Sequence, residues 1–200
     1  MSNETNELAT GSKEVRSANE ASASQISKSL HVTAGDSTHT FEILPADDLD
    51  GTAKKLIWNM FETNMRAMYT ASSFGWDPPH KKGELFDPLS RFILVYPSAD
   101  KSTLVGFTTF RFEFEEGQNI LYCYDLQVSQ SSQRHGLGRT LMNHLAKIGA
   151  DFGMEKIMLT VFKANKRALK FYDNFGFEMD PGSPDDADEE DYKLLCKACR

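Results

Sequence analysis

The segment Gln133-Arg-His-Gly-Leu-Gly-Arg139 is the most informative part of this 200-residue chain, because it lies between an apolar strand pattern and a helical pattern. At such a junction the first backbone N–H groups of the helix have no helical partner, and with the helix dipole they favour an anion. Gly136 and Gly138 let the backbone approach a pyrophosphate closely, and Arg134 and Arg139 add positive charge. The segment has neither the glycine spacing of a dinucleotide fingerprint nor the Gly-Lys-Ser/Thr ending of a nucleoside triphosphate loop.

The patterns around this loop predict one α+β domain, with a mixed, mostly antiparallel central sheet flanked by helices. Strand patterns cover Thr40–Leu44, Arg91–Tyr96, Thr103–Glu113, Ile120–Val128, Lys156–Phe162 and Tyr192–Cys196, and helical patterns cover residues 50–72, 136–152 and 165–175. Polar turns connect the second, third and fourth strands, which predicts an antiparallel meander. Phe74–Pro79 breaks the first of these helices and is expected to begin a long loop.

Residues 1–38 are expected to form a disordered polar tail, and residues 39–200 the folded domain. The first segment is dominated by Ser, Thr, Asn, Ala and Glu, so it has little apolar surface to offset the entropy lost on ordering. A short helix over Glu14–Leu30 is the alternative, although its apolar stripe is weak.

Composition excludes several classes of protein. No apolar run reaches eighteen residues and no signal pattern precedes the domain, so we expect a soluble, intracellular protein without a membrane span. The net charge is −7, with acids at Glu113, Glu115, Glu116 and Asp185–Asp191, which argues against direct nucleic acid binding and suits either a basic peptide or a merely soluble surface. The pair Cys196 and Cys199 is interpreted as ordinary reduced thiols rather than a metal or redox site.

The loop resembles the Q/R-x-x-G-x-G/A motif with which the GCN5-related N-acetyltransferases (GNAT) hold the pyrophosphate of acetyl-CoA. Asn165-x-x-Ala168-x-x-x-Tyr172, followed by Phe175-Gly-Phe177, is similar to the C-terminal helix signature of that superfamily. The resemblance implies the GNAT fold and acetyl-CoA as co-substrate, with no metal. The cofactor-binding residues that it implies are Leu126, Gln127, Val128, Gln133, Arg134, His135, Gly136, Leu137, Gly138, Arg139 and Asn165.

Three further segments, Met68–Trp76, Tyr122–Gln127 and Met158–Lys163, are similar to the NatD-type branch of the superfamily. Members of that branch acetylate the N-terminal serine of histone H4 and of the A-type H2 histone, whose tails begin Ser-Gly-Arg-Gly. The resemblance implies an N-terminal α-amino-acid N-acetyltransferase that has these tails as partners, acts as a monomer and works in the cytoplasm and nucleus.

Two residues are candidates for catalysis. An α-amine has a pKa near 8 and is largely protonated at neutral pH, so a carboxylate must accept its proton. Asp125 is a charge within an apolar-aromatic strand, where burial is costly, and the resemblance implies that it is this base; the alternative is a strand residue that faces solvent or pairs with a lysine. Tyr172 is either a general acid for the departing thiolate or a core aromatic residue, and it stands where the NatD pattern tends to have phenylalanine.

Substrate selection requires groups that bind a small first residue and a following arginine. Glu113 and the acidic C-terminal run can pair with that arginine. The resemblance implies a peptide groove lined by Tyr69, Tyr124, Thr160 and Tyr192, each of which could instead be a packing residue. Two other functions stay open: a GNAT enzyme that acetylates a lysine side chain or small amine, and a non-catalytic module that binds acyl-CoA or histone tails.

Overall fold

Within residues 11–30, 38–185 and 190–199, which the computed structural model describes, seven strands form one sheet. The strands are β1 (His39–Pro45), β2 (Arg91–Pro97), β3 (Gly106–Glu115), β4 (Gln118–Val128), β5 (Lys156–Phe162), β6 (Glu178–Met179) and β7 (Tyr192–Ala198). The helices are α1 (Lys13–Glu20), α2 (Ala23–Ser27), α3 (Gly51–Thr70), α4 (Pro78–Leu85), α5 (Leu137–Asp151) and α6 (Lys166–Phe175), with 3₁₀ turns at Ala46–Asp48 and Gln130–Ser132.

The strand order is β1-β2-β3-β4-β5-β7-β6, and every pair is antiparallel except β4 with β5. The predicted α+β class with a mixed, mostly antiparallel sheet is therefore confirmed. Two buried clusters cover the two faces of the sheet. On one face Ile57, Trp58 and Phe61 of α3 pack with the side chains of Phe92 and Phe107. On the other face α5 packs with α1, α2 and α6.

The parallel pair β4–β5 opens towards its end. The two strands are paired only from Ile120–Lys156 to Cys123–Leu159, although β4 continues to Val128. Beyond Cys123 the second edge of β4 therefore has no strand beside it within the described sheet, and a gap opens between the strands.

A β-bulge in β4 lies where this gap begins. On β3, Arg111 pairs with Tyr122, and Thr109 pairs with Asp125, so β4 has one extra residue in this interval. Arg111 and Thr109 are two apart on a regular strand and point to the same face. Tyr122 and Asp125 consequently share that face as well, although they are three residues apart; without the bulge they would lie on opposite faces.

The expectation of a disordered tail is wrong for residues 11–30, while residues 1–10 and 31–37 lie outside the described part of the chain. Ser12 caps α1 by accepting the Val15 N–H (3.1 Å), and Ser22 forms a capping box at the start of α2. Ala18 and Ile26 are fully buried against the core. A few small apolar residues suffice here because the sheet and α5 already provide a preformed surface on which they pack.

The N-terminal helices are also held by hydrogen bonds to the sheet. The Asn19 side chain donates to Phe112 O (3.0 Å). The buried Arg91 guanidinium donates to Asn19 O (2.6 Å) and to Asn19 Oδ1 (3.2 Å). These contacts join α1 to β2 and β3, so residues 11–30 belong to the folded domain.

The long loop expected after residue 74 is shorter than the sequence indicated, because α4 occupies residues 78–85. Asp77 caps this helix by accepting the His80 N–H (3.0 Å), and two prolines fill its first turn, where no helical N–H partner is needed. Among the described residues, we find no helix that is both long and apolar enough to cross a membrane.

Candidate active site

A cavity of about 560 Å³ lies between α3, α4 and the opening between β4 and β5. Many of its lining residues are aromatic, and one of them is the buried carboxylate Asp125. The residues that line it include Tyr69, Phe74, Trp76, His80, Lys81, Glu84, Tyr122, Tyr124, Asp125, Gln127, Thr160, Phe162, Asn165, Tyr172 and Tyr192. It is therefore a partly open, largely aromatic cavity that also contains a group of charged side chains, and such a concave site suits a specific ligand.

Asp125 is the buried carboxylate. Its Oδ1 accepts a hydrogen bond from Gln127 Nε2 (3.0 Å), and its Oδ2 lies 3.4 Å from Lys81 Nζ. Burial raises the pKa of Asp125 above the ordinary carboxyl value, while the Lys81 ammonium and the Gln127 amide oppose that rise. A raised pKa makes a carboxylate a better proton acceptor.

Gln127 is itself fixed from the other side. Its Oε1 accepts a hydrogen bond from Asn64 Nδ2 (3.1 Å), which also donates to Val128 O (3.2 Å). A chain of two amides, Asn64 from α3 and Gln127, therefore orients the Asp125 carboxylate.

Lys81 is the positive charge of the site. Its ammonium lies 3.0 Å from Glu84 Oε2 and over the rings of Phe61 (5.1 Å) and Tyr69 (5.4 Å). Burial alone lowers the pKa of Lys81, but Asp125, Tyr69 and Glu84 together raise it above the ordinary lysine value. Lys81 is therefore an ammonium throughout the physiological pH range.

Tyrosine hydroxyls form the walls near Asp125. Tyr122 OH and Thr160 Oγ1 are 2.6 Å apart, and Tyr124 OH donates to Glu113 Oε1 (2.7 Å). The two tyrosine rings contact each other with centroids 4.8 Å apart. Burial raises the pKa of Tyr122 to about 12, so it is a neutral donor or acceptor.

The outer rim of the cavity joins two distant segments. The half-exposed Phe74 ring contacts the Tyr192 ring (5.5 Å between centroids) and the Phe162 ring (5.7 Å). The Ser73 N–H donates to Asp191 Oδ2. The loop after α3 and the segment before β7 thus meet over the cavity and narrow its mouth.

A second cavity of about 720 Å³ lies on the other side of the opening, beside the loop 133–139. Its lining includes Val128, Gln133, Arg134, Gly136, Gly138, Arg139, Asn165 and Arg167. Gly136 has φ +88° at the N-cap of α5, a left-handed conformation that glycine adopts without strain. Gln133 is held by a bond from its Nε2 to Val128 O (3.0 Å) and by one from Arg167 Nη2 to its Oε1 (3.1 Å). A basic groove at a helix N-terminus suits a pyrophosphate.

The two cavities meet at the opening between the strands. Met65, Leu126, Asn165, Ala168 and Tyr172 line both of them. A molecule in the basic groove and one in the aromatic cavity can therefore touch each other at this point.

Tyr172 lies at the junction of the cavities. It is buried, and burial raises the pKa of its hydroxyl well above the ordinary tyrosine value, with smaller effects from Cys123 and Asp125 nearby. A hydroxyl with such a pKa is protonated at neutral pH.

The backbone of β4 faces the opening at alternate residues. The Ser129 N–H donates to Val105 O (2.9 Å), on the side of β3. Alternation along the strand therefore directs the Gln127 N–H towards β3 and the Leu126 and Val128 N–H groups towards the opening. Gln127, which the resemblance placed among the cofactor-binding residues, therefore turns its N–H away from the opening and contributes its side chain to the first cavity instead.

Most residues named from the sequence lie around these two cavities, with three exceptions. Glu113 lies behind Tyr124, outside the lining of the first cavity. His135 is exposed outside the lining of the groove, and Leu137 is buried in the core beneath it. Of the acidic C-terminal run, residues 186–189 lie outside the described part of the chain.

Sequence reasoning missed Lys81 and Glu84. Both lie on α4, in the segment that was expected to be a loop. The Asp77-Pro78-Pro79 sequence is a helix-start signal that would have revealed the helix, but nothing local indicates that Lys81 meets Asp125. Nowhere in the described ranges do three or more His, Cys, Asp or Glu side chains form a group that could hold a metal ion.

The sequence model of the Acetyltransferase (GNAT) family matches residues 54–177, which is more than half of the chain. The chain belongs to the GNAT acetyltransferase family. The matched range contains the loop 133–139, Asp125 and α6, so the family assignment and the two joined cavities concern the same part of the molecule.

Among curated proteins, N-alpha-acetyltransferase 40 of Saccharomyces cerevisiae (strain ATCC 204508 / S288c) is 27% identical over 146 residues. The alignment covers 62% of this chain and 51% of that protein, so the chain spans about half the length of its curated relative.

Two solved structures show the same fold at lower identity. The ribosomal-protein-S18-alanine N-acetyltransferase of Escherichia coli is 16% identical in sequence. The superposition covers 80% of this chain and 94% of that structure's chain, with a TM-score of 0.54. Arabidopsis thaliana Naa50, in complex with the bisubstrate analogue CoA-Ac-MVNAL, is 20% identical, covers 78% and 97%, and has a TM-score of 0.53. These likenesses establish the GNAT architecture.

Proposed function

We propose that the protein transfers the acetyl group of acetyl-CoA to the N-terminal α-amine of histone tails that begin Ser-Gly-Arg-Gly, as in histone H4 and the A-type H2 histone. The observation that carries this proposal is the buried Asp125 carboxylate in the lining of an aromatic cavity, which joins the basic groove at the opening between β4 and β5. The likeness to N-alpha-acetyltransferase 40 supports the choice of an α-amine.

The groove beside the loop 133–139 is the proposed site of acetyl-CoA. Backbone N–H groups at the start of α5, with Arg134 and Arg139, suit its pyrophosphate. The N–H groups of Leu126 and Val128, which face the opening, suit the thioester carbonyl and the pantetheine chain. As that carbonyl becomes an oxyanion, donors already in place stabilise it without reorganisation.

Asp125 is the proposed base. It takes a proton from the substrate ammonium, and the resulting amine attacks the thioester carbon, so that a C–N bond forms and the C–S bond breaks. The thiolate that leaves takes a proton from Tyr172, whose hydroxyl lies where the cavities meet and is protonated at neutral pH. The second proton that the nitrogen loses restores the Tyr172 hydroxyl, and Asp125 releases its proton to solvent, so that the products are the amide and the free thiol. Proton transfer by each positioned group contributes about 10²–10⁴-fold to such a reaction.

Selectivity for the first residues is proposed to come from the cavity walls. Tyr69, Tyr122 and Tyr124 leave room for a small side chain beside Asp125. Negative charge comes from Glu84 in the lining of the cavity, from Asp191 at its rim and from Glu113 behind Tyr124. This charge suits an arginine at the third substrate position. Such substrates would be met in the cytoplasm and nucleus.

A comparison of three peptides tests this proposal. We expect Ser-Gly-Arg-Gly to be acetylated on its α-amine. Alanine in place of the arginine should lower kcat/KM by about one to two decades, because a charge-assisted hydrogen bond contributes about 1.5–3 kcal/mol. A methionine-first peptide should be nearly inert. Similar rates for all three would remove the histone specificity and leave an acetyltransferase of another preference.

Mapping of the acetylated atom separates the two alternatives. Mass spectrometry of a histone-tail peptide that contains a lysine shows whether the α-amine or the ε-amine carries the acetyl group. Acetylation at the ε-amine alone would favour a lysine acetyltransferase. Tight binding of acetyl-CoA without any turnover would instead favour a non-catalytic module.

A further inference from the structure

Lys81 is buried in the site, which is unusual for a charged side chain. The whole residue is 5% exposed, although an unpaired ammonium is costly to bury. The cost is offset by the two carboxylates of Asp125 and Glu84 at 3.4 and 3.0 Å, and by two aromatic faces. Such an arrangement fixes the ammonium in one place.

Lys81 also provides a positive charge directly beside the Asp125 carboxylate. The titratable groups that face Asp125 or line the same cavity are Tyr69 from α3, His80, Lys81 and Glu84 from α4, Tyr122, Cys123 and Tyr124 from β4, Tyr172 from α6, Tyr192 from β7 and Asp77 before α4. Glu84 is negative and opposes ionisation of Asp125, whereas Lys81 supports it. The ionisation of Asp125 therefore depends on the balance between two neighbours in the same helix.

We propose that Lys81 is a positioning residue of the acetyl transfer, which holds the Asp125 carboxylate charged and in place so that it can accept a proton at neutral pH. The inference rests on the proposed function of Asp125 as base. Burial acts against the charged carboxylate. The opposite charge of Lys81, next to Oδ2, favours the charged form of the Asp125 carboxylate. The hydrogen bond from Gln127 fixes the orientation of Oδ1.

The first test is Lys81→Met, which removes the charge and retains an apolar stem against the rings of Phe61 and Tyr69. With the opposite charge gone, burial and Glu84 remain, so the pKa of Asp125 rises. The acidic limb of the kcat/KM–pH profile should move to higher pH by about one unit or more, since an opposite charge at this range shifts a carboxyl by about 1–3 units. Each unit lowers the rate on that limb about tenfold.

Glu84→Gln tests the same balance with the opposite sign. It removes the negative neighbour and leaves Lys81 to pair with Asp125 alone. The acidic limb should move to lower pH, by less than in Lys81→Met. General damage to α4 would not shift the acidic limbs of the two variants in opposite directions. An acidic limb that moves to higher pH in both Lys81→Met and Glu84→Gln would therefore overturn the proposal. Because Glu84→Gln keeps Lys81, it also serves if Lys81→Met does not fold.

Lys82→Met is the matched control. Lys82 is the exposed neighbour in α4, and its ammonium lies over the Trp58 ring (4.5 Å), outside the lining of the cavity. The acidic limb of the kcat/KM–pH profile of Lys82→Met should coincide with that of the wild type. Lys81→Arg should keep the limb within a few tenths of a unit of the wild type while lowering kcat, because the charge is retained in an altered position.

Carboxyl NMR keeps this inference separate from the proposed function. The ¹³C signal of the Asp125 carboxyl, assigned by its loss in Asp125→Asn, can be titrated without any substrate. A higher titration midpoint in Lys81→Met than in the wild type would support the role of Lys81 even if Ser-Gly-Arg-Gly proved not to be a substrate. Equal midpoints in a folded Lys81→Met would overturn it, whatever the peptide assay shows.

Discussion

At the residue scale, Asp125 is a buried carboxylate, and it is the group proposed as the base. Two neighbours act on the same carboxylate, Gln127 through a hydrogen bond and Lys81 through its charge. A strand residue that faced solvent, which was the alternative from sequence alone, would have neither contact. Asp125 does pair with a lysine, as the other alternative expected, and that lysine is Lys81. Because Lys81 lines the same cavity, this pairing is compatible with the proposed role of Asp125 as base.

Asp125→Asn should lower kcat by about 10²–10⁴-fold at neutral pH, because an amide cannot accept the proton of the substrate ammonium. The affinity for acetyl-CoA should change little, since Asp125 lies in the aromatic cavity and not in the lining of the groove. The loss should become smaller as the pH approaches the pKa of the α-amine, near 8. Steady-state kinetics across pH checks this.

The control for this variant is Asp47→Asn, at an exposed residue of a 3₁₀ turn outside both cavities. It should behave as the wild type in every assay. A wild-type kcat in Asp125→Asn at neutral pH would show that another group is the base.

Gly138→Asp should abolish measurable binding of acetyl-CoA, or weaken it by at least about tenfold (~1.4 kcal/mol), while the protein stays folded. A Cβ at this position would lie 3.6 Å from Phe171 and 3.7 Å from Leu126, which are ordinary contacts. The added carboxylate, however, would stand in the groove proposed for a pyrophosphate. Calorimetric titration measures the affinity, and a melting curve checks the fold.

Gly51→Asp is a suitable comparison, because no heavy atom lies within 4 Å of a Cβ built there and the residue is exposed. Its affinity for acetyl-CoA should equal that of the wild type. Unchanged affinity in Gly138→Asp as well would refute the assignment of the groove.

At the scale of elements, the C-terminal end of β4 determines the geometry of the candidate active site. Its pairing with β5 stops at Cys123 while the strand continues, which exposes the backbone of Leu126 and Val128 to the opening. The bulge at Tyr124, directly after Cys123, turns Asp125 to the face that carries Tyr122. A local irregularity thus places both the N–H groups proposed as oxyanion donors and the carboxylate proposed as the base.

Ile26→Ala tests whether α2 belongs to the folded domain. Ile26 is fully buried against the core, so its truncation should lower the free energy of unfolding by about 2–4 kcal/mol. Ser24→Ala, at an exposed position of the same helix, should change it by less than about 0.5 kcal/mol. Chemical denaturation measures both. Equal stability of the two variants would mean that residues 23–27 do not pack on the domain in solution.

At the scale of the whole molecule, charge is unevenly placed. The chain has a net charge of −7, yet the groove beside the loop 133–139 is lined by Arg134, Arg139 and Arg167. The acidic surplus would attract the proposed basic peptide over a distance of about one Debye length, whereas the local arginines would attract the proposed anionic co-substrate. The two ligands are therefore drawn to different parts of one molecule.

This distribution predicts a salt dependence that follows the peptide. Raising the ionic strength from about 0.01 to 0.5 M should lower kcat/KM for Ser-Gly-Arg-Gly more than for the same peptide with alanine in place of arginine, because screening weakens only the attraction of charges. The measurement is kcat/KM for both peptides at saturating acetyl-CoA. Parallel salt curves for the two peptides would contradict an electrostatic role for the arginine.

Several features of the protein followed from the sequence alone, because they depend on neighbours in the chain. Turn residues and apolar periodicity located the strand Lys156–Phe162, the helix that Gly176 closes and the glycine loop at 133–139. The acidic residue within the strand that leads to this loop was likewise visible as Asp125. Each of these signals is contained within a window of a few residues, so local patterns are enough.

Other features were decided by the tertiary structure, because they depend on residues far apart in the chain. Alternation along β4 would have placed Asp125 and Tyr122 on opposite faces, and the pairing with β3 introduced the bulge that brings them together. Lys81 reached Asp125 only through the docking of α4 on the sheet. Residues 11–30 have too little apolar surface to order alone, and they fold because the sheet and α5 already offer a surface to cover.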